Sequence, residues 1–276
     1  MHAKILDPAI SSHNAGPPRE TILSLETHVN ISQVGHAQKS SLTQSSTGGS
    51  GGEGARTSAQ VFANSGFACV LIALHAYLHN SSPFVSSTLP ITAGPHLPTL
   101  EKLLPIGIVA QYAAVASDTF SSELGILATT TPFLITAPWK RVPRGTNGGV
   151  TIDGLLYGGL GSFLLTFVAI LALYFAQPRT TMASTTAAML TLMGLIGSII
   201  DSLLGAVVQT TVTDKKTGRV VEGPGGKRVK VDVGGSRVQI GLDLLTNNGV
   251  NFAMATITSV LAMCMAYALN LELSAG

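Results

Sequence analysis

Charge is scarce in this sequence. Only 11% of its 276 residues are Asp, Glu, Lys or Arg, less than half the roughly 25% typical of a soluble globular domain. So few charges cannot cover a water-exposed surface, which excludes an ordinary soluble fold. Aromatic residues are also few, at 5%. The two cysteines, Cys69 and Cys264, both fall inside apolar runs, where Cys acts as a small apolar side chain and no disulfide is expected. The first fifty residues lack a basic start followed by an apolar stretch, so no cleavable signal peptide is expected. The seven His residues show no metal-ligand spacing. Gly225-Gly226-Lys227-Arg228 is not a phosphate loop, because Val221 and Arg228 stand where Gly and Ser/Thr are required. A formal net charge of +2 gives no reason to expect a nucleic-acid partner.

What is present is apolar: 46% of residues are hydrophobic, with 30 glycines. Residues 1–55 are rich in Ser, Thr, Gly, His and Gln and end in Ser45-Ser46-Thr47-Gly48-Gly49-Ser50-Gly51-Gly52. Such a segment buries too little apolar surface to offset its backbone entropy, so a disordered tail is expected. Residues 56–272 read as a transmembrane domain, an all-α polytopic bundle. Its five apolar segments lie near 60–78, 103–127, 154–175, 185–209 and 250–269, each close to the roughly 20 residues that cross a bilayer. Gly158, Gly161 and Ser162, and then Gly194, Gly197 and Gly205, give small-residue faces for close helix packing.

Loop charges suggest an orientation. Lys140, Arg141 and Arg144 follow the second segment, and Lys215, Lys216, Arg219, Lys227, Arg228, Lys230 and Arg237 follow the fourth. With five crossings both loops share a side with the tail and Arg56, while the other side offers Lys102 and Arg179. The positive-inside rule therefore puts the N-terminus and both basic loops in the cytosol. The sequon Asn30-Ile31-Ser32 then lies on the wrong side for glycosylation. The membrane is expected to be the endoplasmic reticulum or another endomembrane.

Three acids interrupt the apolar segments: Asp118 and Glu123 in the second and Asp201 in the fourth. A carboxylate at that depth costs a few kcal/mol or more, about 2.5–3.5 on insertion scales, unless it is paired, solvated or bound to a cation. Asp201, Gly205 and Gln209 share a helical face. Arg56, Gln60 and Asn64 recur every four residues at the start of the first segment. Pro143-Arg144-Gly145-Thr146-Asn147-Gly148-Gly149 leads into the third, and Thr246-Asn247-Asn248-Gly249-Val250-Asn251 into the fifth. All five clusters are expected at the cytosolic ends of their helices, forming one polar site. Carboxylates beside Arg and Lys suit a magnesium-bound phosphate substrate, since hard oxygens hold Mg²⁺ and cations neutralise phosphate. Asp118 and Glu123, five residues apart, lie about 140° apart on an ideal helix and cannot both face one ion without a break. The same acids would also serve as hydrogen-bonding struts between helices, or as relay groups of a transporter. The Asn-Gly stretch by itself is a turn signal, and the 215–237 loop by itself an orientation-setting segment.

Taken together, the motifs resemble the transmembrane protein 19 family. The matching stretches are Gly54-Ala55-Arg56, Gln60 to Asn64, Ala116 to Thr119 with Ser122 to Gly125, Leu134-Ile135-Thr136, Val142 to Val150, Gly197 to Gln209, and Asn247 to Asn251. The resemblance runs over about residues 54–269. It implies a lipid-phosphate kinase, because the family's plant members include the phytyl-phosphate kinase of tocopherol synthesis. That enzyme converts a prenyl monophosphate to the diphosphate, and CTP is the preferred donor in the wider group, which distantly includes dolichol kinase and phosphatidate cytidylyltransferase. On that reading Asp118, Glu123 and Asp201 hold Mg²⁺, while Arg56, Lys140 and Arg144 contact phosphates. Gln60, Asn64, Thr146, Asn147, Gln209, Asn247, Asn248 and Asn251 would bind nucleotide or acceptor. Family members usually carry further apolar segments before the Arg56 motif, where this chain has its Ser/Gly-rich tail. A shortened, non-catalytic membrane partner is the corresponding alternative.

Overall fold

A computed structural model describes residues 42–47, 57–78, 98–176, 182–223 and 227–273; Arg56 and most of the N-terminal segment lie outside them. Among the described residues five helices are long and apolar enough to cross a membrane: α1 Ser58–Leu78, α2 Pro98–Gly125, α3 Ile152–Ala176, α4 Ser184–Val208 and α5 Asn247–Leu269. They fall where the apolar segments do. The chief difference in length is that α2 begins five residues before the expected Leu103 and runs through Pro105.

Polar residues fix several helix starts. Thr57 and Gln60 form a capping box at α1: the Gln60 Oε1 accepts from the Thr57 N–H at 2.7 Å, and the Thr57 Oγ1 from the Gln60 N–H at 3.3 Å. Thr151 caps α3 through the Gly154 N–H at 3.0 Å, and Thr246 caps α5 through the Gly249 N–H at 3.3 Å.

Helix α2 is the centre of the bundle and packs against each of the other four, while α1, α5, α4 and α3 touch in that order around it. Small residues let the backbones approach. A Cβ on Gly194 would strike the Ser162 hydroxyl and come within 2.9 Å of Ala113, and one on Gly161 would meet the Ala116 carbonyl at 2.7 Å. Lipid cannot drive helix association by the hydrophobic effect, so such close van der Waals packing must supply much of it. Buried Leu190, Met193, Ile106 and Ala110 fill the interior of the bundle.

The helix-linking segments are not plain loops. Between α2 and α3, strands β2 Phe133–Leu134, β3 Ala137–Arg141 and β4 Gly149–Val150 form a sheet in the order β3-β2-β4. Between α4 and α5, β5 Thr211–Asp214, β6 Val220–Glu222 and β7 Arg237–Ile240 form a second, joined by β1 Thr43–Ser45 in the order β1-β6-β5-β7. The all-α reading holds for the spanning core, and these sheets add a cap to it. Strand β1 lies inside the segment expected to be an unfolded tail, which corrects that expectation for Thr43–Ser45. It is ordered by non-local pairing, Thr43 to Ser45 running parallel to Val220 to Glu222, and by Arg237, whose guanidinium donates to the Ser46 carbonyl at 2.8 Å.

Candidate functional site

Both sheets sit at the end of the bundle where α1, α3 and α5 begin and α2 and α4 finish. The loop before β4 docks on α4 there. Gly148 has φ +75°, and a Cβ on it would come within 2.8 Å of the Ala206 Cα. The Asn147 side-chain amide donates to the Thr210 carbonyl at 2.7 Å, and its backbone N–H to the Thr211 hydroxyl at 3.0 Å. Asn147 is thus the clamp between the two capping sheets. Thr146 bonds within its own turn, its hydroxyl donating to the Pro143 carbonyl at 2.7 Å.

Just inside this cap, Asp118 on α2 and Asp201 on α4 approach each other. The Ser198 hydroxyl donates to the Asp118 carboxylate at 3.5 Å, and Ser198 lies one turn before Asp201 on the same helix face. The two carboxyl groups are therefore neighbours across the α2–α4 contact. On the other side of Asp201 the Asn251 amide of α5, oriented to suit its neighbours, donates to Asp201 Oδ1 at 3.3 Å and to the Asn247 carbonyl at 3.1 Å. The second polar atom of Asn251 lies 3.4 Å from the side-chain amide of Asn64 on α1. Buried Gln111 of α2 donates to the Asn64 backbone carbonyl at 2.9 Å. Its Oε1 lies 3.5 Å from the Ser259 hydroxyl of α5. A polar ring therefore links α1, α2, α4 and α5. Gln209, at the end of α4, donates to the Asn247 side chain at 3.4 Å. Asn248 buries a side-chain oxygen without a hydrogen-bond partner.

The expected residues do not all converge. Glu123 is exposed near the end of α2, and among the described residues no group of three His, Cys, Asp or Glu side chains could hold one metal ion. The five-residue offset from Asp118 along an unbroken helix accounts for this. Gln60 is engaged in the α1 capping box. Arg144 braces the cap, its guanidinium donating to the Ile126 carbonyl at 2.5 Å and to the Thr130 carbonyl at 3.2 Å. Lys140 is exposed on β3. Arg56 lies outside the described residues. Gln111 and Ser259 were not singled out from the sequence, and Ser198 stood there only as part of the Gly197 to Gln209 stretch. Gln111 carried a signal, an amide within the apolar run from Ile106 to Ala116; Ser259 carried none.

The geometry offers a pair of carboxylates, amide groups from two further helices and a cap of basic strands. Two carboxyl groups that are neighbours inside the bundle call for a proton or a cation, and carboxylate and amide oxygens are the donors a hard divalent ion takes. Among curated proteins, the chain is 41% identical over 160 residues to Protein PGR of Arabidopsis thaliana, covering 56% of this chain and 52% of that one. It is 40% identical over 104 residues to an uncharacterized membrane protein of Methanocaldococcus jannaschii, covering 38% and 40%. It is 34% identical over 108 residues to Protein VTE6, chloroplastic, of Arabidopsis thaliana, covering 39% and 30%. The chain thus spans about half or less of the length of these relatives. No solved structure matches it. The family model described as integral membrane protein DUF92 matches residues 27–259, and the chain belongs to that family.

Proposed function

We propose that the chain is a lipid-phosphate kinase of the transmembrane protein 19 type, transferring the γ-phosphoryl group of CTP to a polyprenyl monophosphate such as phytyl phosphate. The observation that carries the reading is the approach of Asp118 to Asp201 inside the cap, with Asn251 and Asn64 completing the ring. Asp118 and Asp201, with amide oxygens from the ring, would hold Mg²⁺, which when bound neutralises charge on the donor phosphates. A phosphate oxygen of the acceptor attacks the γ-phosphorus, the bond to the β–γ bridging oxygen breaks, and CDP leaves. No covalent nucleophile is needed, because in-line transfer depends mostly on positioning and charge neutralisation.

The chain's own groups divide the work. Asn251 holds the Asp201 carboxylate, and Ser198 holds Asp118. Gln209, Asn247 and Asn248 face the same end and are the groups to orient nucleotide or acceptor. Arg56 is the cation for substrate phosphate, whereas Arg144 acts by bracing the loop before Asn147. The prenyl chain would lie against the bundle in the bilayer, with its phosphate at the cytosolic face of an endomembrane. Purified protein supplied with labelled CTP and phytyl or geranylgeranyl monophosphate should yield labelled diphosphate. Ion flux through reconstituted protein without turnover would replace this reading by a transporter that uses the same acids, and neither activity would leave a non-catalytic membrane protein.

A further inference from the structure

Trp139 is the sole tryptophan of the protein, and it stands 85% exposed on β3, followed by exposed Lys140 and Arg141. Pairing ties its strand to the start of α3. Arg141 lies opposite Phe133, and Phe133 opposite Val150, two residues before α3 begins. Neighbouring strands are about 4.8 Å apart, so this end of β3 is about 10 Å from Val150, just ahead of a membrane span. A second apolar strip hangs from the end of another span. Ile240, Leu242 and Leu244 are exposed, and the N–H groups of Leu244 and Leu245 donate to the carbonyl of Val208, the last residue of α4, at 3.0 Å. Arg228 grips the same strip, pairing with Asp243 at 3.0 Å and reaching the carbonyls of Asp243 and Leu244 at 3.2 Å.

Both apolar groups are thus tied to the ends of membrane-spanning helices, and Trp favours the boundary between hydrocarbon and headgroups. Charge says what kind of headgroup. The two cap segments, 126–151 and 209–246, carry ten Lys and Arg against four Asp and Glu, or six with Glu123 and Asp153 of the adjoining helix ends, whereas the sequence around the other helix ends carries Lys102 and Arg179 against Glu101 and Glu272.

We propose that the cap is a membrane-interface anchor, in which Trp139 and the Ile240–Leu244 strip enter the headgroup layer beside the bundle while Lys140, Arg141 and neighbouring cations bind anionic lipid headgroups. Juxtamembrane cations are attracted by anionic lipid within a Debye length of the surface, and their aliphatic stems lie along apolar surface while the charge reaches out. The anchor does not depend on the chemistry assigned to Asp118 and Asp201.

Because Trp139 is the only tryptophan, its emission reports this contact alone. The full chain is reconstituted in vesicles of phosphatidylcholine, with and without phosphatidylglycerol, with iodide present on both faces. Anionic lipid should shift the emission to the blue, cut iodide quenching about twofold and raise quenching by shallow brominated lipid. Salt near 1 M, where the Debye length falls to about 3 Å, should reverse the effect. Lys140→Glu combined with Arg141→Glu should abolish it, and both residues are exposed, so insertion should survive; if it does not, the salt series on the unchanged protein decides. Trp139 open to iodide in both bilayers would overturn the anchor. Shielding from iodide and from brominated lipid alike would also overturn it, because protein would then cover the ring.

Discussion

At the scale of single residues, Asp201 separates chemistry from packing. It holds Asn251 and faces Asp118, and an Asn in its place keeps the shape and the means to bond Asn251. Asn lacks the charge that holds a divalent cation against water. On the proposed chemistry, Asp201→Asn should therefore leave insertion and thermal stability nearly unchanged while lowering turnover by two or more orders of magnitude, about 3 kcal/mol of transition-state stabilisation. Full turnover in that variant would remove Asp201 from the mechanism. Asp201→Leu should in addition strand the Asn251 amide and destabilise the fold by about 1–3 kcal/mol, seen as a lower melting temperature in detergent. Asp214, outside the membrane, gives a pH test of the cap. The N–H groups of Thr217 and Lys216 donate to its carboxylate and hold its pKa below the usual value, at 3.0 and 2.8 Å. A lowered folded-state pKa stabilises above the unfolded value and ceases to do so as pH falls through the folded one. The stability advantage of the wild type over Asp214→Ala should thus be constant above about pH 4 and shrink below it, as read from melting curves across pH.

At the scale of elements, the loop before β4 should tolerate substitution far less than the hairpin between β5 and β6, although both contain a glycine at positive φ. Gly218, φ +67°, has open space around it, so Gly218→Ala carries only the backbone strain, about 1–2 kcal/mol. Gly148, φ +75°, lies on the α4 backbone at Ala206. Gly148→Ala should cost clearly more and also lower activity, because it lifts Asn147 off Thr210. Equal melting temperatures for the two variants would show that the docking of this loop does not matter to stability. These elements also mark how far the sequence could be read. The helices were legible because each is an apolar run of bilayer length, and Asp118 and Asp201 because an acid in such a run stands out. The strands were not, since Phe133–Leu134 and Val220–Glu222 are two and three residues long and exist through partners distant in sequence. Gln60 was read only as part of the polar stripe with Arg56 and Asn64, whereas the structure uses it in a capping box with Thr57. That Ser198 would reach Asp118 depends on how α4 rotates against α2, which Gly194 and Gly197 settle only once Ala113 and Ala114 are packed against them.

At the scale of the whole molecule, the two capping sheets make the question of sidedness sharper than a tally of loop charges does. Asn147 bonds to Thr210 and Thr211 across the two sheets, so the segments bearing Lys140, Arg141, Arg144 and the seven basic residues of the 209–246 loop form one connected body that must remain on one side of the membrane. At the opposite end, Lys102 pairs with Glu272 at 2.7 Å, which leaves that end close to neutral. Translocating the capped end would carry a folded, basic body across the bilayer, whereas the other end presents little charge to hold it back. The cap should accordingly face the cytosol and the C-terminus the lumen. A glycosylation acceptor appended after Gly276 should be modified in endoplasmic reticulum membranes, and one inserted beside Gly225 should not. The reverse pattern would overturn the orientation and move the Asp118–Asp201 site to the lumenal face, away from the cytosolic pool of nucleoside triphosphate. Modification at both positions would break the five-span topology itself.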